Sequence, residues 1–162
     1  MIVIGIDPGI NTTGYSVVEE EGLKLIHCGI WRLEDEPFPL KLFILSHKLR
    51  DALITFHPKT LAIEEPFHSQ NPRLTLEMGK IVGVLTLVGM EEGVAVEVYS
   101  PLKVKEAVTG YGRAEKKQVR EMVKRLLKLT SLPKEFDVTD AVSVALCSIL
   151  HRQWREKVDR IS

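Results

Sequence analysis

The sequence predicts an α/β fold, with a five-stranded mixed sheet and helices on both faces. Early strand-like runs follow one another across short turns, which is typical of antiparallel hairpins, whereas later ones are separated by amphipathic helices, which is typical of parallel crossovers. The first run, residues 2–7, is almost wholly apolar, as expected for a central strand covered on both faces. With 162 residues, 44% of them hydrophobic, the chain is expected to form a single domain over residues 1–162.

Five runs have the length and composition of strands: residues 2–7, 13–19, 23–33, 60–64 and 94–99. The turn at residues 19–22 is rich in glutamate and ends on Gly22, so it joins the second and third strands as a hairpin. The first and fourth runs each end on a carboxylate, Asp7 and Glu64. Because functional sites in open α/β sheets gather at strand ends, these two acids are the first candidates for a site.

Apolar residues at helical spacing predict five helices: residues 40–56, 72–90, 101–109, 114–129 and 137–154. Pro58 ends the first helix, and Gly110 and Gly112 form a flexible connector before the fourth. The helix at 72–90 is apolar around most of its circumference, so it must be covered on more than one side. We expect the sheet to cover one side and a second copy of the chain to cover the other.

The charges balance overall but are unevenly distributed. The sequence has 22 basic and 22 acidic residues, yet residues 103–128 hold nine Lys or Arg against three Glu. A nucleic-acid partner is therefore predicted only by this local basic segment. Cys28 and Cys147 lack metal-binding spacing and indicate reduced thiols. Residues 1–7 lack the positive segment and the cleavage site of a signal peptide, and the apolar runs are too short to span a membrane. A cytoplasmic location is therefore expected.

Four acids are candidates for a metal centre: Asp7, Glu64, Asp137 and Asp140. The last two are spaced i and i+3, so they share one face of a helix. Several converging carboxylates suit Mg²⁺ or Mn²⁺ better than zinc. Two such ions stabilise both the attacking and the leaving oxygen of a phosphoryl displacement, which favours a nuclease. The sequence offers no Ser-His-Asp or Cys-His arrangement that would supply a nucleophile instead.

Each acid also has an ordinary structural interpretation. Asp7 could simply initiate a Pro-Gly turn, with no role in a metal site, and Glu64 could be the solvent-exposed end of its strand. Asp137 and Asp140 could cap a helix and complement its macrodipole. The joint occurrence of two strand-end acids and a helix-face pair is what favours the metal site.

Four segments resemble the RuvC family of Holliday-junction resolvases. They are GIDPG with Thr13-Gly14-Tyr15, AIEEPF at 62–67, GYGRAEKKQV at 110–119 and DVTDAVSVA at 137–145. Their order and separation are similar to those of the family over about residues 1–152. The resemblance implies a ribonuclease H-like fold and places the catalytic, metal-binding acids at Asp7, Glu64, Asp137 and Asp140.

The resemblance also implies an activity and partners. The family acts as a homodimer with Mg²⁺ and nicks two strands of like polarity at a four-way DNA junction, leaving 5′-phosphate and 3′-hydroxyl ends. We expect two Mg²⁺ per active site, with Mn²⁺ as a substitute, and a RuvA-RuvB type branch-migration complex as a further partner.

Six residues are predicted to contact DNA: Phe67, Arg73, Lys105, Arg113, Lys116 and Lys117. Phe67 follows the Glu64 strand, where an exposed ring could stack on an unpaired base for roughly 1–3 kcal/mol or, alternatively, pack into the core. By resemblance this aromatic probes the junction centre, and Lys105 and Lys116 match lysines near the scissile phosphate. Lys103, Arg120 and Lys124, with Arg113 and Lys117, are expected only in a diffuse basic patch, and His68 is a weak candidate for a DNA contact.

Three other functions fit parts of the sequence. Another ribonuclease H-fold nuclease would act on RNA or an RNA·DNA hybrid. An actin-like ATPase or kinase would use Asp7-Pro8-Gly9 with Thr12 and Thr13 as a phosphate-binding hairpin, but it needs a second similar domain. A junction-binding module without activity would not need the full set of acids.

Overall fold

The computed structural model describes residues 1–67 and 69–161. Its strands are β1 (Ile2–Asp7), β2 (Thr12–Glu19), β3 (Lys24–Arg32), β4 (Thr60–Glu64) and β5 (Ala95–Tyr99). Its helices are α1 (Phe38–Phe56), α2 (Pro72–Glu91), α3 (Pro101–Thr109), α4 (Lys116–Leu126) and α5 (Phe136–Asp159). The elements follow one another in the predicted order. None of the described helices combines the length and apolarity that crossing a membrane requires.

The five strands form one mixed sheet in the order β3-β2-β1-β4-β5. The hairpin strands β1, β2 and β3 pair antiparallel, as their short connections predict. β4 pairs parallel with β1, and β5 with β4, because α1 and α2 return the chain to the same end of the sheet. The predicted mixed sheet is therefore confirmed, with β1 at its centre.

Helices cover both faces of the sheet, as predicted. Side chains alternate along β1, so Ile4 and Ile6 pack on one face with α1 and α2, while Val3 packs on the other with α3, α4 and α5. This alternation directs Gly5 and Asp7 to the same face as Val3. The first candidate acid therefore lies on the face of the sheet that α5 covers.

Helix α5 lies unusually close to the backbone of the sheet. A Cβ atom on Gly5 would lie 2.2 Å from the Ala141 carbonyl oxygen, so only glycine allows this approach. The Ser16 hydroxyl donates a hydrogen bond of 2.9 Å to the same carbonyl. These contacts fix α5, including its buried segment around Ala141, directly over β1 and β2.

Several predicted boundaries are wrong by a few residues, and α4 and α5 show why. α4 begins at Lys116 rather than 114, because Glu115 and Gln118 form a reciprocal capping box. It ends at Leu126 rather than 129, and Lys128 then takes a left-handed backbone with φ of 53°. α5 continues past the predicted residue 154 to Asp159, with Lys157 in its last turn complementing the macrodipole.

Candidate active site

Asp7 and Glu64 lie side by side at one edge of the sheet. Gly5 pairs with Ala62 and Ile6 with Ile63 in the parallel β1–β4 ladder, and the two acids are the next residues along each strand. Side chains at matching positions of parallel neighbours point to the same face. Glu65, the acid next to Glu64 in the sequence, is exposed and lines a different groove. Of these two glutamates, Glu64 is therefore the one that faces α5.

The first turn of α5 brings the other two acids to the same place. Asp7, Glu64, Asp137 and Asp140 line one cavity of about 430 Å³. Residues from the adjoining loops and helices complete the wall: Pro8, Gly9, Thr12, Phe67, Pro101, Val104, Lys105, Lys116, Val119 and Ser143. Four acids separated by up to 133 positions in the sequence thus share one cavity at the end of the central strands.

The environment of Asp7 disfavours its negative charge. Burial is the largest cause, and the carboxylates of Glu64, Asp140 and Asp137 add to it, so the pKa of Asp7 is raised from 3.8 to about 8. Lys116 acts in the opposite direction but is outweighed. The protein alone therefore supplies too little positive charge to compensate this carboxylate.

Glu64 and Asp140 are shifted in the same direction. Burial, followed by repulsion from Asp140, raises the pKa of Glu64 from 4.5 to about 7. Burial likewise raises the pKa of Asp140. Lys105 and Lys116 lower the pKa values of both acids without cancelling the effect of burial, which places both lysines within electrostatic reach of the carboxylates.

Lys116 is held beside the acids by two contacts. Its Nζ lies 3.8 Å from Asp140 Oδ2 and 5.4 Å from the centroid of the Phe136 ring. The second contact is a cation–π interaction, which favours an ammonium over the face of the ring. Phe136 precedes Asp137 at the start of α5, and the sequence alone gave no reason to single it out.

Asp137 is not the helix cap that its position suggested. The N-cap of α5 is Glu135, which makes no side-chain capping bond, and Asp137 lies inside the first turn. Its Oδ2 atom instead accepts a hydrogen bond of 2.9 Å from the Thr12 hydroxyl. In the sequence Thr12 stands out only as part of a possible phosphate-binding hairpin, because its partner Asp137 is 125 positions away and the contact leaves no local pattern.

The donor set fits a hard divalent cation. All four candidate ligands are carboxylates, the type of ligand that Mg²⁺ and Mn²⁺ prefer. A cation would also offset the burial and the carboxylate repulsion that raise the pKa of Asp7. Across residues 1–67 and 69–161, however, no three His, Cys, Asp or Glu side chains are already close enough together to hold an ion. The match is therefore one of chemistry and a shared cavity, and side-chain adjustment would have to close the ligand shell.

The predicted DNA-contacting residues divide into two groups. Phe67, Lys105 and Lys116 line the cavity, and the Phe67 side chain is 73% exposed, so it does not pack into the core. Arg113 and Lys117 are exposed outside the cavity wall. Arg73, also outside it, lies at the start of α2 and forms an i,i+4 ion pair of 3.2 Å with Glu77.

Arg120, expected in the diffuse basic patch, makes contacts within the protein. Its guanidinium donates to the Thr139 hydroxyl at 3.0 Å and to the Leu132 carbonyl at 2.7 Å, so it ties α4 to the first turns of α5. Lys124 pairs with Glu121 on its own helix at 3.3 Å, and Lys103 is exposed on α3. His68, the weak candidate in the Phe67 loop, lies outside the described residues.

Known proteins match this chain along nearly its whole length. Residues 3–148 match the family model described as crossover junction endodeoxyribonuclease RuvC. The RuvC protein of Desulforamulus reducens is 45% identical over 157 residues, which is 95% of this chain and 94% of that protein. The RuvC protein of Caldanaerobacter subterraneus is 43% identical, over 91% of each chain.

Solved structures agree with the family match. The structure of Thermus thermophilus RuvC superimposes with a TM-score of 0.87 at 32% identity, covering 96% of this chain and 97% of that one. Thermus thermophilus RuvC in complex with a Holliday junction substrate gives a TM-score of 0.86 at 29% identity, covering 95% and 96%. The ribonuclease H-like fold that the sequence motifs implied is confirmed by these neighbours.

Proposed function

Because this chain belongs to the RuvC family of crossover junction endodeoxyribonucleases, we propose that it resolves Holliday junctions in DNA recombination and repair. The observation that carries the proposal is the cavity in which Asp7, Glu64, Asp137 and Asp140 lie with Lys105 and Lys116. Burial raises the pKa values of Asp7, Glu64 and Asp140, so a divalent cation would stabilise their charged forms. Such a cation, with lysines beside it, suits the cleavage of a phosphodiester. A neighbouring structure, that of Thermus thermophilus RuvC, contains a Holliday junction substrate.

In this proposal the four carboxylates would hold two Mg²⁺ per active site, with Mn²⁺ as a substitute. Bound there, the ions would activate a water molecule and stabilise the charge that develops on the phosphate. Lys116, which lies between Asp140 and Phe136, would bind a phosphate oxygen at the cavity wall, and Lys105 would add positive charge from α3. The products would carry 5′-phosphate and 3′-hydroxyl ends.

Phe67 is proposed to stack on an unpaired base at the junction. Its ring is largely exposed and lines the acidic cavity, so a stacked base would lie next to the phosphate to be cut. Arg73, Arg113 and Lys117 are exposed outside the cavity and would contact the DNA backbone, where each phosphate contact adds affinity without reading sequence.

We further propose that the active form is a homodimer. A symmetric junction presents two strands of like polarity, and two copies of the chain would each nick one of them. On α2, Leu76, Leu87 and Met90 are more than half exposed, and extra side-chain atoms at Gly79 and Gly83 would meet no neighbour within 4 Å. Such an apolar helix face is typical of an interface. Sedimentation as a monomer at micromolar concentration, with and without junction DNA, would contradict the proposal.

The remaining expectations complete the proposed setting. The chain would act as one nuclease domain spanning residues 1–162, in the cytoplasm, with a RuvA-RuvB type branch-migration complex supplying mobile junctions. The free thiols of Cys28 and Cys147 are consistent with a reducing compartment. Co-purification of the chain with such a complex on a synthetic junction would test this partnership.

Cleavage of a mobile synthetic four-way junction, with and without Mg²⁺, tests the proposed function. End-labelled strands should show two metal-dependent nicks, symmetrically placed on strands of like polarity, that a ligase reseals. An RNA·DNA hybrid of matched length is the comparison substrate. Cleavage of the hybrid with the junction left intact would favour the rival nuclease, and no cleavage of either substrate would contradict both.

A further inference from the structure

We propose that Thr12 is a positioning residue that orients the Asp137 carboxylate for metal binding. The proposal rests on the function proposed above. The Thr12 hydroxyl donates to Asp137 Oδ2 at 2.9 Å, and both residues line the acidic cavity. A hydroxyl that donates to one oxygen of a carboxylate fixes the rotation of that group and leaves its other oxygen available to a ligand.

The contact belongs to a repeated pattern along β2. Alternate residues of a strand share one face, so Thr12, Gly14 and Ser16 all face α5. Thr12 meets the side chain of Asp137, Gly14 approaches the backbone of Asp137, and Ser16 donates to the Ala141 carbonyl one helical turn later. Alternate residues of β2 thus contact the first two turns of α5. Thr12 is the residue of this series whose side chain contacts the carboxylate of a candidate metal ligand.

Thr12 itself is anchored on both sides. It is the first residue of β2 and is paired with Arg32 of β3. The preceding residue, Asn11, accepts a hydrogen bond of 2.8 Å from the ammonium of Lys41, a buried residue of α1. Because its backbone is held in this way, the Thr12 hydroxyl can impose an orientation on Asp137 rather than follow it.

Asp137 has particular need of an external partner. It is partly buried in the first turn of α5, where a helical side chain has two common χ1 rotamers, and the Thr12 hydrogen bond selects between them. Loss of the partner that orients a metal ligand typically costs about 10- to 100-fold in metal affinity or activity. The expected consequence of losing the Thr12 hydroxyl is therefore weaker metal binding, with junction binding unchanged.

The test compares Thr12→Val, which replaces the hydroxyl by a methyl group of similar size, with Thr12→Ser, which keeps the hydroxyl. Two quantities are measured: the Mn²⁺ concentration giving half of the maximal thermal stabilisation without DNA, and the Mg²⁺ concentration giving half-maximal junction cleavage. Thr12→Val should raise both by roughly tenfold, and Thr12→Ser should stay within about twofold of the original protein. Junction binding in EDTA should be equal for all three proteins.

Equal metal dependence of Thr12→Val and the original protein would overturn the proposal. So would a Thr12→Ser protein that behaves like Thr12→Val, since the methyl group and not the hydroxyl would then matter. If Thr12→Val fails to fold, Thr12→Ala serves in its place, because it introduces no new atoms. If the original protein cuts no junction, the proposed function fails, whereas the Mn²⁺ titration without DNA still decides the role of Thr12.

Discussion

Gly14 lies so close to Asp137 that a Cβ atom on it would be 2.1 Å from the Asp137 carbonyl oxygen. The same atom would be 3.3 Å from the Asp137 Cβ. The first turn of α5 therefore lies directly on the backbone of β2. This contact sets the distance between the acids of α5 and those at the ends of β1 and β4.

Gly14→Ala should destabilise the protein because the added methyl group cannot fit beside a backbone carbonyl. We expect the free energy of unfolding to fall by about 2 kcal/mol or more, measured by urea denaturation. Lys24→Ala, at an exposed position of β3 away from α2 and α5, is the control and should change stability by no more than about 0.5 kcal/mol. Similar effects of the two substitutions would contradict the close packing of α5 on β2.

Asp7→Asn should abolish Mg²⁺-dependent cleavage while leaving junction binding intact. The amide keeps the size of the side chain but removes one negative charge from the proposed metal site, so we expect the cleavage rate to fall by more than about 100-fold. Binding to the junction, measured in EDTA at neutral pH, should be unchanged, because without metal the raised pKa of about 8 leaves Asp7 largely uncharged. A mutant that cuts at the original rate would remove Asp7 from the site.

The stability of the metal-free protein should fall as the pH rises. Asp7 has a pKa of about 8 in the folded chain, against 3.8 for an ordinary exposed Asp, so between these values the folded state keeps a proton that the unfolded state releases. The stabilisation is complete below about pH 3.8 and is lost as the pH rises through about 8. The raised pKa of Glu64, about 7, acts in the same direction.

Denaturation in EDTA at pH 5 to 8 measures this effect. Asp7→Asn should flatten the pH dependence and exceed the original protein in stability by at least about 1 kcal/mol at pH 8. Asp51→Asn, which neutralises an exposed acid on α1, is the control. If Asp7→Asn is no more stable than the original protein at pH 8, the charge of the buried Asp7 carboxylate does not destabilise the fold.

Phe67→Ala should impair cleavage more than binding. The exposed ring borders the acids, so its loss removes a stacking contact at the phosphate to be cut, and we expect the rate to fall about tenfold, with a smaller change in the dissociation constant. Trp154→Ala, which removes another largely exposed aromatic side chain, from the groove between α3 and α5, is the control. An unchanged cleavage rate for Phe67→Ala would end its proposed role.

Lys116→Ala and Lys117→Ala should separate catalysis from general attraction to DNA. Lys116 lies 3.8 Å from Asp140 and lines the cavity, so its loss should lower the cleavage rate about 100-fold. Lys117 is exposed outside the cavity wall, so its loss should mainly weaken binding and reduce the salt dependence by about one phosphate contact. Equal losses of cleavage rate in both variants would contradict this division.

The positions of Asp7 and Glu64 could be predicted from the sequence because each ends an apolar run whose length and composition are typical of a buried strand. The strand and helix order was predictable for the same reason, since local patterns carry it. The contacts of Thr12 and Gly14 with Asp137 were not predictable, because they join residues far apart in sequence and leave no local pattern.

The role of Arg120 could not be predicted from the sequence either. On an amphipathic helix a basic residue has the same sequence pattern whether it is solvated, binds DNA or reaches a neighbouring element. The structure shows that Arg120 reaches Thr139 and Leu132. Only the tertiary position of α5 distinguishes it from Lys117, which is exposed on the same helix.

The distribution of the four acids over β1, β4 and α5 has a consequence during protein synthesis. A ribosome completes Asp7 and Glu64 well before it reaches Asp137 and Asp140, so a growing chain carries half of the proposed ligand set without the other half. Helix α5 must leave the exit tunnel and dock on β1 and β2 before the set is whole. If these acids are the metal ligands, a growing chain would lack the complete metal site until α5 has been synthesised and has docked on the sheet.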